Sequence, residues 1–117
     1  MVTVEEVRAL AVTLPRTSEH VIRDRLKFRV GAIVYVAFSR DETTMGFGFP
    51  KDERDALIAA EPTKFFLPPA SDLRFNWVCV RLAEIGPEEM EELVTEAWRM
   101  CVPKKVAAAR LGAEPRR

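Results

Sequence analysis

Soft metal ligands are scarce in this 117-residue chain, which has one histidine, His20, and two cysteines, Cys79 and Cys101. A closed zinc site takes about four Cys or His ligands at recognisable spacing, so no metal site is expected. A small secreted fold stapled by disulfides needs more cysteines than two. Cys79 sits in an apolar strand-like run and Cys101 at the end of an amphipathic helix. In both places a free thiol behaves as a small hydrophobe. No apolar run approaches the ~18 residues of a membrane helix, so no membrane association is expected. The opening MVTVEEVRAL has acids where a signal peptide carries bases. With reduced thiols, that points to the cytoplasm. No spacing brings His20 together with Glu19, Asp24 or Cys79 as an acid–base or nucleophilic cluster. The chain is therefore read as non-enzymatic and without a cofactor. Net charge is lacking too, with 18 Lys and Arg against 18 Asp and Glu. That balance removes global positive charge, the simplest ground for nucleic-acid binding.

What is present is a core and an uneven charge map. Apolar residues make up 48% and charged residues 31%, enough to exclude wholesale disorder. The length suits one domain over residues 1–117, and a monomer is expected. Residues 16–40 carry six basic and two acidic groups, residues 41–96 five and thirteen, and residues 97–117 six and one. A basic–acidic–basic order builds a surface with two signs of potential, or simply solvates exposed faces.

Thr3 and Glu6 are spaced as a capping box. Val4, Val7, Leu10, Ala11 and Leu14 then follow helical spacing as far as Pro15. From Glu19 to Val30 the period is two. Ile22, Leu26, Phe28 and Val30 fall on one face, and Val21, Arg23, Arg25, Lys27 and Arg29 on the other. Gly31 is a turn. Ile33 to Phe38 reads as a strand with Ala32, Val34, Val36 and Phe38 on one side. Thr43 to Phe49 alternates again, with Gly46 and Gly48 on one face, a sign of a bulge or of close approach by another group. Pro50-Lys51-Asp52 opens a second helix with Ala56, Leu57 and Ala60 as its apolar stripe. Lys64 to Leu67 is a short strand. Phe75 to Leu82 is the strongest strand and is expected centrally. Pro87 starts a third helix, striped by Met90, Leu93, Val94, Ala97, Trp98 and Cys101. Lys104 to Leu111 is a final short helix capped by Gly112, and Leu111 to Arg117 is a tail expected to fray. Short links between early strands imply antiparallel hairpins. The predicted fold is α+β, a two-layer sandwich with helices on one face of an antiparallel sheet.

The stretches FRVGAIVYVAF, MGFGFPKDERDALIAAEP, FNWVCVRL and PEEMEELVTEAWRMCVPKKV, in this order, resemble the MmcQ/YjbR family. The resemblance runs from Val4 to about Leu111. It implies a CyaY-like (frataxin-like) sandwich and DNA binding by a double-wing arrangement. Family members often have a glycine and a proline where this chain has Val21-Ile22-Arg23-Asp24-Arg25-Leu26. Frataxin-like proteins carry an acid-rich first helix, which here offers only Glu5 and Glu6.

The leading candidate site is the stripe Arg23, Arg25, Lys27 and Arg29, joined by Arg40. Basic groups two apart on a strand lie ~6–7 Å apart and can meet successive phosphates. A β-ribbon also enters the major groove. The same charges would equally protect a strand edge from aggregation. Lys104 and Lys105, with Arg110, Arg116 and Arg117, extend this surface or serve helix C-termini. Trp77, Phe75 and Tyr35 stack on bases or pack in the core. Glu88, Glu89, Glu91, Glu92 and Glu96 form an acidic ridge of a kind that suits hard cations, though helices carry such acids for solubility. The predicted partner is DNA, bound weakly. The alternative is an adaptor or small-ligand module using the sheet face around Gly46, Gly48 and Trp77.

Overall fold

The structure is a computed structural model that describes residues 1–112. Arg116, Arg117 and the rest of the tail from residue 113 lie outside the described residues. The chain runs α1 (Val4–Ala11), β1 (Thr17–Ile22), β2 (Arg25–Val30), β3 (Ile33–Phe38), β4 (Thr44–Gly48), α2 (Lys51–Ala60), β5 (Phe65–Phe66), β6 (Trp77–Arg81), α3 (Pro87–Arg99) and α4 (Lys104–Gly112). The six strands form one sheet in the order β1-β2-β3-β4-β6-β5, every neighbouring pair antiparallel. Four helices and this sheet make the α+β fold that the periodicities predict.

The capping box forms. Glu6 N donates to Thr3 Oγ1 at 3.2 Å, and Thr3 N donates to Glu6 Oε1 at 2.9 Å. The helix ends at Ala11 rather than reaching Pro15. Two β-branched residues follow, and Leu14, which precedes proline, is disfavoured in the α region. Leu14 is still buried. In α3, Met90, Val94, Ala97 and Trp98 point inward. Trp98 Nε1 donates to Pro15 O at 2.8 Å, which ties α3 to the end of the first loop. The core lies between α1 and α3 and one face of the sheet. Phe28, Val36, Phe38, Met45, Phe47, Val78 and Val80 supply the sheet side, all fully buried. Phe28 meets Phe38 edge-on, with ring centres 6.4 Å apart, the arrangement aromatic quadrupoles favour.

Four expectations are corrected. Glu19 to Val30 is not one strand. Twelve extended residues would span ~40 Å, the full 38 Å length of the fold. The chain instead turns at Arg23 and Asp24, whose φ values are 54° and 66°, and Ile22 pairs with Arg25. Positive φ at both central residues is the signature of a type I′ hairpin turn, whose twist matches that of the strands. Second, β3 bulges against β2. Phe28 faces Val36 but Arg29 faces Val34, which leaves Tyr35 as the extra residue. The bulge turns Tyr35 into the core beside Val36 and sets Val34 on the other face with Arg29. Third, the inward side of α2 is Arg54 with Leu57 and Ile58, while Ala56 and Ala60 are exposed. Fourth, β6 begins at Trp77, so Phe75 belongs to the preceding loop and is 49% exposed.

Candidate functional site

The face of the sheet turned away from the packed core is the more open one, half-covered at β2 where Lys27 and Arg29 are half-buried, and its residues define what that face can do. Opposed residues of an antiparallel pair share a face. One row across the open face is His20, Lys27, Ala37, Gly46, Cys79 and Phe66. On either side of it on β2 stand Arg29, opposite Ser18 and Val34, and Arg25, opposite Ile22. The stripe thus survives with three members, Arg25, Lys27 and Arg29. Arg23 leaves it for the hairpin turn, where its carbonyl accepts from Arg40 Nε at 3.3 Å. The tip projects beyond the core, for Val21 and Ile22 on opposite faces are both exposed.

The stripe's cations have no carboxylate partner among the described residues. Arg25 Nε donates to Phe38 O at 3.1 Å. Arg29 Nε is buried without a partner. The ion pairs lie elsewhere. Arg8 meets Glu5 at 2.6 Å and Glu19 at 3.0 Å, Lys64 meets Glu61 at 3.3 Å and Glu89 at 3.0 Å, and Arg99 meets Glu96 at 3.1 Å. The acidic ridge of α3 is therefore partly neutralised. Among the described residues no group of three or more His, Cys, Asp or Glu is placed to hold a metal ion. Lys104 and Lys105 are exposed in the first turn of α4, the end where the helix dipole disfavours cations. Among the described residues no hydrogen bond or ion pair joins them to the stripe.

Beside the stripe lies a groove of about 620 Å³, lined by Arg25, Lys27, Ala37, Asp72, Phe75 and Trp77 among others, with exposed Ile33 and Met100 at its rim. Small residues at Ala37 and Gly48 leave room for it. Gly46 is required, since a Cβ on it would lie 2.4 Å from Trp77 Nε1. The half-buried indole therefore lies across Gly46. A Cβ on Gly48 would make only an ordinary contact, 3.7 Å from Ala97 Cβ.

The loop carrying Phe75 and Trp77 is braced by α2. Arg54, 9% exposed, donates to Phe75 O at 3.2 Å, Trp77 O at 3.0 Å and Leu73 O at 2.9 Å. Lys51 Nζ donates to Arg74 O at 3.1 Å, and Lys51 N donates to Asn76 Oδ1 at 3.0 Å. Helical periodicity does not reveal Arg54, because an arginine reads as a solvent-facing residue. Arg81 shares the parity of Trp77 and Cys79 along β6, and its guanidinium lies 4.6 Å from the centre of the Phe66 ring.

The remaining candidates do not assemble. Tyr35 is fully buried, with its hydroxyl 2.7 Å from Thr17 Oγ1, so it is a core residue and not a stacking platform. His20 Nε2 is 2.8 Å from Ser18 Oγ on the open face, while its neighbour Glu19 reaches Arg8 on the other and Asp24 sits in the turn. Burial pushes the Cys79 thiol up to about 11, with Asp72 adding to the rise and Arg25 opposing it. Burial raises the Cys101 thiol as well. Both shifts run opposite to what a reactive thiolate needs.

The family model described as YjbR matches residues 12–100. The uncharacterized proteins Rv2570 of Mycobacterium tuberculosis and Mb2600 of Mycobacterium bovis are each 50% identical over 54 residues. That stretch is 46% of this chain and 41% of either relative, so the match spans about two-fifths of the relatives' own length. The crystal structure of Deinococcus radiodurans protein DR2400, a DUF419 domain, superposes with a TM-score of 0.74 at 21% identity, over 94% of this chain and 88% of that one. It is a likeness of fold. Among the described residues no helix is long and apolar enough to cross a membrane.

Proposed function

The chain belongs to the YjbR family, and from that premise we propose that it is a non-enzymatic nucleic-acid-binding domain that holds phosphates on the open face of its β1–β2 hairpin. One observation carries the reading. Arg25, Lys27 and Arg29 stand on one strand face with no carboxylate partner among the described residues, whereas Arg8, Lys64 and Arg99 each hold a glutamate. Unpaired cations at ~6–7 Å intervals are a sequence-independent phosphate surface. Arg23 and Arg40, brought together at the hairpin tip, extend it. The chain acts as a monomer in the cytoplasm, a setting that suits its two free thiols.

The test is salt-dependent binding. With about three phosphates neutralised, log affinity for a random duplex falls against log salt at a slope of about −2.7, which is about 40-fold between 50 and 200 mM. Arg25→Glu/Lys27→Glu weakens binding to all sequences alike and flattens the slope. Absent binding at low salt, or binding untouched by the double reversal, rejects the reading. A second reading, an adaptor or small-ligand module, is favoured by the groove beside Trp77. It predicts a ligand whose affinity is insensitive to salt.

A further inference from the structure

We propose that the open face takes a single-stranded segment of nucleic acid, with one base stacked on Trp77 and the adjoining phosphates on Lys27 and Arg25. The inference rests on the nucleic-acid reading above and adds the strand state and a role for the aromatic end of the groove.

Three observations support it. First, the indole is displayed. It lies across Gly46, where a side chain would collide with it, it is half-buried, and no hydrogen bond holds its Nε1 among the described residues. An aromatic ring on a sheet face is the platform on which unpaired bases stack. Second, the groove is chemically divided. Trp77 and the exposed Phe75 stand at one end with Asp72 and Asn76, whose carboxylate and amide suit the edge of a base. Lys27 and Arg25 stand at the other end, on β2. The small Ala37 lies between. Three strand spacings, ~14 Å, separate β6 from β2, and the indole covers about one of them by lying over β4. The roughly 9–10 Å that remains is bridged by a sugar–phosphate unit and the lysine side chain. Third, the aromatic end is held in place. Arg54 spends three hydrogen bonds on the carbonyls of Leu73, Phe75 and Trp77, and a platform fixed before binding loses little freedom on binding. A duplex keeps its bases stacked on one another and cannot present one to Trp77 unless it opens.

The experiment compares labelled oligonucleotides of equal length in low salt: a thymidylate single strand, the same backbone without bases, and a duplex. Thymidine monophosphate is run beside them. The single strand is expected to bind tightest. Trp77→Ala should lower its affinity about 5- to 150-fold and leave the abasic strand unchanged. Trp77→Phe, which keeps a ring, should hold most of the affinity. Gly46→Ala should reproduce the loss by displacing the indole without removing it, which keeps the test open if Trp77→Ala does not fold. Equal affinity for base-bearing and abasic strands overturns the stacking while the phosphate reading stands. A monophosphate that binds as tightly as the strand overturns it in favour of a small ligand. No binding of any oligonucleotide removes both readings.

Discussion

On the helix-covered face of the sheet, successive strands present Phe28, Val36, Phe47 and Val78, all fully buried. One residue along, the same strands present Lys27, Ala37, Gly46 and Cys79 to the other side. An antiparallel sheet packed on one face only gives this division, but here the open face is more than solvated. Its charges on β2 lack carboxylate partners among the described residues, its centre is emptied by small residues, and its aromatic ring is propped over a glycine. The covered face is built for packing, and the open face leaves room and charge for something else. Substitutions on the two faces should therefore fail in different assays.

The largest difference is expected at the two ends of the comparison. Trp98→Ala deletes a fully buried ring and its bond to Pro15 O. It should cost ~3–5 kcal/mol in urea unfolding. Lys27→Glu, on the open face, should move stability by no more than about 0.5 kcal/mol. Comparable losses from the two would mean that the faces are not divided as described.

Arg54 sits between stability and site. Arg54→Met strands the carbonyls of Leu73, Phe75 and Trp77, and should cost ~2–4 kcal/mol, since each buried unsatisfied group costs ~1–3. Arg54→Lys should recover little, because one ammonium cannot reproduce a fork bonded to three carbonyls. A lysine variant as stable as the parent would contradict the brace.

Gly46→Ala forces a Cβ into the space of the Trp77 indole and should cost ~1–3 kcal/mol. The cost should shrink when Trp77→Ala is present as well, the coupling expected of residues in contact. Additive losses would mean that the indole does not lie over Gly46.

A pH dependence is shared by the two faces. Burial pushes Tyr35, on the covered side, up to about 12 from 10.0, with its Thr17 hydrogen bond opposing. It pushes Cys79, on the open side, up to about 11 from 9.0. Raised values mean that the fold holds protons the unfolded chain has released. This stabilisation is whole below about pH 9 and is lost as pH rises towards 12. The urea midpoint should fall between pH 9 and pH 11, and fall less in Cys79→Ala. A flat or rising midpoint over that range would contradict the assignment.

Local patterning made the frame legible. The Thr3–Glu6 capping box, the spacing Met90, Val94, Ala97, Trp98, and the alternation of β4 each depend on residues close in sequence. They were readable because cap chemistry and side-chain period are local. The glycine at position 46 was readable as a close approach, though not as the place of Trp77. What escaped depends on partners far along the chain. Arg23-Asp24 lacks the glycine or asparagine that marks a type I′ turn, so the pattern reads as one strand and puts Arg23 on the stripe. Tyr35 enters the core only because β3 bulges against β2. Arg54 is buried only because a loop about twenty residues on supplies three carbonyls. The site's cations were visible in the sequence, whereas its walls required the tertiary structure.

The chain holds two tryptophans, and the fold sets one on each side of the comparison. Their indole N–H groups give two resonances in a proton–nitrogen correlation spectrum, assigned by Trp77→Phe. During titration with a short thymidylate strand in low salt, the Trp77 signal should shift progressively while that of Trp98, buried and bonded to Pro15 O, stays in place. A stationary Trp77 signal at saturation, or a shift confined to Trp98, would contradict the claim that the open face is the binding face.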